Sequence, residues 1–425
     1  MGQTDKEDVL DNVYYAFHRA IKDHPALGVR VKDHGAAGKY FERLPFIDLE
    51  AIVTIQELPE GQAVEQEYIK EVLTRENNKP FVDPTLPLWR AVILIEKGIE
   101  NEVAFYLVFV WHHVIGDGRS GWAVHSSLLT ALSDPETTEI VHSAIDRRFV
   151  PTSIAPLQLP LEELLTLKRS PSKVHSTTGV PSSRWAGEKF QYGGKVRTNL
   201  HHLRLKATTA SRLVQRCRYN RTTITPLLQA AVTWAVFEET GADDLRAACA
   251  MSLRRFFDPQ LAIDDSVMGL WITAFVIDYT RSQYTEVSQD ASAIWKVAVV
   301  NSARFDKEVE KGDLDIDIGA LQDIPDYKAN LLGKLGNRRE NSFGLTNLGV
   351  YAPLPNERNV PTRISDMILS QSCHINGAAI QICVASVKGG DINIIFSWQD
   401  GIVPDSFVES VSNKIYTLFK KLTSE

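Results

Sequence analysis

The stretch Trp111-His112-His113-Val114-Ile115-Gly116-Asp117-Gly118 follows directly on an apolar run at residues 103–110. It reads as a buried strand ending in two histidines, with a carboxylate four residues after the second and a glycine beside it. A strand end of this kind can place an imidazole at a cleft. An unperturbed imidazole titrates at about pH 6.5, so near neutrality much of it is free base. Held against an alcohol or amine, it can take the proton as the nucleophile attacks a carbonyl, a contribution of about 10²–10⁴-fold. The remainder must come from juxtaposing two substrates and stabilising a tetrahedral oxyanion. Taken alone, adjacent histidines at a strand end and an Asp-Gly pair are also ordinary turn residues.

Working outward, residues 120–132 read as a helix whose start adjoins the motif. Pro87-Leu88-Trp89-Arg90-Ala91-Val92-Ile93-Leu94 lies before it, and a turn around Gly98 leads into the strand that ends in the motif. Leu10, Val13, Tyr14, Phe17, Ala20 and Ile21 recur at helical spacing until His24-Pro25 ends the first helix. A second helix is predicted at residues 64–73. Residues 133–199 are broken by Pro135, Pro151, Pro156, Pro160, Pro171 and Pro181 and hold Gly193-Gly194, which predicts a crossover between two halves. The second half opens with a strand near 200–205, followed by two helices; the clearer one carries Ile224, Leu227, Leu228, Ala231, Val232, Ala235 and Val236. Further strands are predicted at 378–387 and 392–398, and an amphipathic helix carrying Phe407, Val411, Ile415, Leu418 and Leu422 closes the chain.

A chain of 425 residues is too long for one ordinary core and predicts two domains. A net charge of −7, from 46 basic and 53 acidic residues, gives no reason to expect nucleic acid or an anionic membrane as partner. Cys217, Cys249, Cys373 and Cys383 form no C-x-x-C or zinc-like spacing, so a reducing, cytoplasmic setting is expected, with no metal. The first residues lack a signal-type apolar region and fail the myristoylation pattern at Lys6. No apolar run approaches membrane-spanning length, and the formal glycosylation sequon Asn220-Arg221-Thr222 would go unused in the cytosol. Metalloprotease, P-loop and dinucleotide-binding motifs are absent from the sequence. Ser120 fails as a nucleophile-elbow serine, because in Gly118-Arg119-Ser120-Gly121-Trp122 the second glycine falls one residue early. Direct transfer without an acyl-enzyme is therefore expected. The acidic segment 306–326 reads as a solvated helix or loop, with metal binding a remote alternative. His125 reads as a packed or solvated histidine.

The motif and its context resemble the acyltransferase superfamily of peptide-synthetase condensation domains, BAHD enzymes and fungal alcohol acetyltransferases. His24-Pro25-Ala26-Leu27, the Pro-Leu-x-Arg turn with its strand through Leu94, Ala250-Met251-Ser252-Leu253-Arg254-Arg255-Phe256 as the family's arginine-bearing strand, Met268-Gly269 and Gly344-Leu345-Thr346-Asn347-Leu348-Gly349 follow in the family's order, Thr346 standing where fungal members have serine. The resemblance covers nearly the whole chain. It implies an α/β fold of two chloramphenicol-acetyltransferase-like subdomains, each a mixed sheet flanked by helices, divided here as 1–175 and 176–425, with a tunnel between them. It implies His113 as general base, Asp117 fastening the loop through an arginine (Arg254, with Arg255 the alternative), Gly118 leaving room for close backbone approach and His112 shaping the turn. Thr346 and Asn347 are the candidate oxyanion donors, although Asn-x-Gly is equally turn-forming.

The plant signature Asp-Phe-Gly-Trp-Gly is missing. Relative to the family the chain also starts late, which leaves open a more exposed acceptor side, a shortened sequence or an inactive member. The expected reaction is transfer of an acetyl or other short acyl group from acyl-CoA, as co-substrate, to a hydroxyl, or less readily an amine, of a small apolar secondary metabolite in a fungal, monomeric enzyme. Two rivals stand beside it. In one the donor is an acyl carrier protein; in the other the scaffold is repurposed to bind or cyclise a metabolite without acyl transfer.

Overall fold

A computed structural model describes residues 6–33, 38–58, 65–96, 104–133, 148–166, 180–189, 196–311, 321, 324–352 and 362–424. Val64, Gly98, Val103, Gly193-Gly194 and most of the acidic segment at 312–323 lie outside them. The chain divides into two units. The first takes the described residues of Met1–Leu164, Phe257–Trp271 and Ala352–Ile364; the second takes those of Leu165–Phe256, Ile272–Tyr351 and Ser365–Glu425. The passage at 164/165 falls inside the crossover read from the sequence. Phe257–Trp271 goes to the first unit, which a continuous division at 175/176 does not include.

In the first unit the helix Lys6–Asp23 (α1) buries Val13, Phe17, Ala20 and Ile21 along one face. It stops before Pro25, because a residue preceding proline is pushed out of helical geometry; His24 has φ −120° and ψ 90°. Val29–Asp33 (β1) and Lys39–Arg43 (β2) form a hairpin, and Phe46–Asp48 (β3) is followed by Val53–Glu57 (β4). After the helix Gln66–Asn77 (α2) come Trp89–Glu96 (β5) and Ala104–Trp111 (β6), which complete a sheet of order β4-β5-β6. β4 runs parallel and β6 antiparallel to β5. The helix Gly118–Leu132 (α3) follows the motif, and Phe149–Pro151 (β7) pairs with β3.

β5 carries an almost unbroken apolar run because both of its faces are covered. Trp89, Ala91, Ile93 and Ile95 share a core with α1 and with Val124, Leu128 and Ala131 of α3. Val92 and Leu94 meet Val72 of α2 on the other face. α3 begins at Gly118, two residues before the predicted start, because Asp117 caps it.

The second unit holds the strands Thr198–Leu205 (β8), Asp244–Ser252 (β9), Ile272–Thr280 (β10), Phe343–Tyr351 (β11), Ile380–Val387 (β12) and Ile392–Gln399 (β13) in one sheet of order β10-β9-β11-β12-β13-β8. β11 is parallel to β9 and β12; the other pairs are antiparallel. One face packs on the helices Ala207–Tyr219 (α4), Ile224–Thr240 (α5), Ile294–Glu310 (α6) and Asp405–Ser424 (α7). α5 is apolar nearly all round, as a helix at the centre of such a layer must be. The strand that the resemblance implies over 250–256 ends at Ser252; Arg254, Arg255 and Phe256 form a 3₁₀ turn instead. Among the described residues no helix is long and apolar enough to cross a membrane, and no group of three or more His, Cys, Asp or Glu could hold a metal ion.

Candidate active site

β6 delivers the two histidines at its end. The His112 N–H donates to the Leu88 carbonyl at 2.8 Å, so the turn is fixed to the head of β5. The His112 ring caps the following 3₁₀ turn, its Nδ1 accepting from the Val114 N–H at 3.1 Å. That bond requires an unprotonated Nδ1, and partial burial, together with the neighbouring His113, lowers the basicity of His112. His112, His113 and Val114 are all exposed. Among the described residues the His113 ring makes no hydrogen bond, which leaves both ring nitrogens available.

The other half of the motif is locked. Asp117 is fully buried; its Oδ1 accepts from the Ser120 N–H at 3.1 Å and its Oδ2 from the Trp271 N–H at 3.1 Å. Its own N–H donates to the Gly269 carbonyl at 3.0 Å. The buried Ser120 hydroxyl accepts from the Asp117 and Gly269 N–H groups, at 3.1 and 3.0 Å. Its single proton has two acceptors in reach, the Gly269 carbonyl at 2.8 Å and Asp117 Oδ1 at 3.2 Å, and the shorter contact is to the carbonyl. The motif is thus stitched to Met268–Trp271, about 150 residues further along the chain. Gly269 must lack a side chain, since a Cβ there would lie 2.5 Å from the Trp271 ring. Gly116 is equally confined: a Cβ would meet the Ser120 Cβ at 2.7 Å. Trp111 closes the loop by donating its indole N–H to the Gly116 carbonyl at 2.9 Å. Gly118 is the first residue of α3.

Arg90 of the Pro-Leu-x-Arg turn is a buried support for this region. It bonds Glu76 Oε2 and the Glu76 and Lys79 carbonyls, each at 2.7 Å. Burial alone would raise the Glu76 carboxyl, but the Arg90 and Arg75 guanidiniums outweigh it and hold it below the usual range. The Arg90 guanidinium also lies 4.5 Å above the Phe81 ring, whose centroid is 6.0 Å from that of His112.

In the second unit Arg254 is buried, with Nη1 3.5 Å from the Ser252 hydroxyl, and Arg255 is exposed. Thr346 and Asn347 are half-buried on β11. The Asn347 amide donates to Thr225 Oγ1 at 2.8 Å, and its oxygen accepts from the Gly349 N–H at 2.7 Å. It therefore ties a bulge, in which Gly349 adopts φ +84°, to the start of α5. Thr346 Oγ1 accepts from Gln381 Nε2 at 3.2 Å, and among the described residues its own proton has no acceptor. His125 sits in α3 with Nδ1 2.6 Å from the Gly121 carbonyl.

A family model for alcohol acetyltransferase matches residues 55–423. The chain belongs to the alcohol acetyltransferase family. The probable alcohol acetyltransferase crmB of Aspergillus fumigatus is 26% identical over 429 residues, covering 98% of this chain and 92% of that protein. Among solved structures, the TRI3 trichothecene 15-O-acetyltransferase of Fusarium sporotrichioides superposes with a TM-score of 0.65 at 16% identity, over 98% of this chain and 86% of the other. An epimerization domain of tyrocidine synthetase B does so with a TM-score of 0.58 at 16% identity, over 97% and 89%. This family member shares the two-subdomain α/β architecture of the condensation-domain fold, as the sequence implied. Ser120, Gly269 and Trp271 were not read as partners of the motif. Gly269 and Trp271 touch it through main-chain atoms, which only the Met268-Gly269 match hints at, and Ser120 through a hydroxyl whose far partner, Gly269, lies about 150 residues along the chain.

Proposed function

We propose that the chain is an O-acyltransferase that moves an acetyl or other short acyl group from acyl-CoA to a hydroxyl of a small metabolite, with His113 as general base. The observation carrying this reading is the exposed, unbonded His113 ring on a turn that His112, Trp111, Asp117 and Ser120 otherwise immobilise. In the proposed step His113 removes the alcohol proton while the alcohol oxygen attacks the thioester carbonyl. The tetrahedral oxyanion takes a hydrogen bond from the Thr346 hydroxyl. Collapse breaks the C–S bond, and the imidazolium returns the proton to the departing CoA sulfur, giving ester and free thiol. Asp117 holds the turn without touching substrate, and the counter-charge assigned to it in this reading is Arg254.

The test of the donor is thermal unfolding with CoA, acetyl-CoA and longer acyl-CoAs. A ligand at 100 times its Kd adds about 2.7 kcal/mol to the native state. A shift graded by acyl length supports the reading and names the donor. No shift with any of them turns the reading toward a carrier-bound donor or a scaffold that binds a metabolite without acyl transfer.

A further inference from the structure

Gly344, Thr346 and Gln381 lie on the sheet face opposite the helices α4 to α7, since Phe343, Leu345, Ile380 and Ile382 face the helical core. Gly344 and Gln381 are register partners across the parallel pair of β11 and β12. A Cβ at Gly344 would lie 2.0 Å from Gln381 Oε1 and 2.8 Å from its Cδ. The Gln381 carboxamide thus occupies the space that a side chain at 344 would fill. From there its Nε2 reaches Thr346 Oγ1 at 3.2 Å.

A hydroxyl has one proton and two lone pairs. When an amide N–H takes a lone pair, the hydroxyl proton is left to point elsewhere. Neighbouring Asn347 cannot take that proton with its oxygen, which already accepts from the Gly349 N–H. We propose that Gln381 is a positioning residue: it orients the Thr346 hydroxyl as a hydrogen-bond donor to the acyl oxyanion, and Gly344 makes room for it to do so. This rests on the reading of Thr346 as the oxyanion donor. It explains why a glycine sits two residues before Thr346 in a strand interior, where glycine otherwise weakens the sheet.

The decisive variant is Gln381→Glu, which keeps the shape but replaces the donating N–H with an acceptor. The carboxylate captures the Thr346 proton and turns it away from the oxyanion. Gln381→Leu leaves the hydroxyl unoriented. Gly344→Ala displaces the carboxamide without touching Thr346, because the atom it meets is the far end of a flexible side chain.

Free thiol release from acetyl-CoA is followed with a panel of primary and secondary alcohols, with thermal unfolding confirming that each variant is folded. Thr346→Val is expected to lower kcat by about 10²-fold, the scale of one oxyanion donor. Gln381→Glu should lower kcat by about 10-fold or more with KM little changed, and Gln381→Leu and Gly344→Ala by less. In the Thr346→Val background Gln381→Glu should have no further effect.

Full activity in Thr346→Val would remove the oxyanion reading itself. A damaged Thr346→Val beside fully active Gln381 variants would overturn the positioning role alone. So would an undiminished Gln381→Glu effect in the Thr346→Val background. No thiol release by the native protein with any acceptor defeats both.

Discussion

Asp117 and Ser120 show how much of the proposed catalytic motif is scaffold. Each Asp117 oxygen accepts a main-chain N–H, and Ser120 bridges two N–H groups to a carbonyl. Ser120→Ala removes the hydroxyl's bonds and leaves the buried Gly269 N–H without its partner, at a cost of about 1–3 kcal/mol. It should lower stability well beyond an ordinary surface change, measured by thermal unfolding; an unchanged transition contradicts this. Asp117→Asn tests the same point with little change of shape. One oxygen can still cap α3, but the amide then faces the Trp271 N–H, donor against donor. The proposed pairing of Asp117 with Arg254 is checked by a double-mutant cycle. Each alanine variant alone strands a buried charge, so the double variant should be more stable than the sum of the two by about 1 kcal/mol or more. Strict additivity means that Arg254 is not the counter-charge.

At the scale of elements, Met268–Trp271 is the segment whose placement the motif depends on. Gly269→Ala drives a Cβ against the Trp271 ring, which packs edge-on against Phe257 and donates its indole N–H to the Leu159 carbonyl. The variant should unfold at lower temperature and give a segment more open to proteolysis; native-like resistance would show that the ring can yield. The sequence made the elements legible where their burial is periodic or complete. α1 showed its one-sided stripe, and β5 its unbroken run. The end of β9 was not legible, because Arg254 and Arg255 prolong a plausible strand pattern while the chain turns after Ser252. The motif residues stand out in the sequence as candidate chemistry. The clasp by Gly269 and Trp271 was not, since main-chain bonds across about 150 residues leave almost no trace in side-chain identity. Nor was Gln381, whose meaning depends on the register of β11 against β12.

For the whole molecule, histidines buried in both units predict a loss of stability in acid. His24, His125 and His202 are all lowered, burial being the largest cause in each. Unfolding restores them to about 6.5. Below that value the unfolded state binds more protons than the folded state, so stability rises with pH in this window. Their contribution is complete above about pH 6.5 and is lost as pH falls toward their folded-state values. The urea midpoint should therefore drop between pH 7.5 and pH 5.5, before the carboxylates titrate. A His24→Gln, His202→Gln double variant should flatten that slope, and an unchanged slope would place the acid sensitivity elsewhere.

The proposed base is one exposed imidazole on an immobilised turn. Its most direct test is acyl transfer by folded His113→Ala, assayed beside the native protein with acetyl-CoA and an accepted alcohol. Loss of about 10²–10⁴-fold in kcat, with acetyl-CoA binding retained, is the result predicted for a general base. Turnover at the native rate would contradict it.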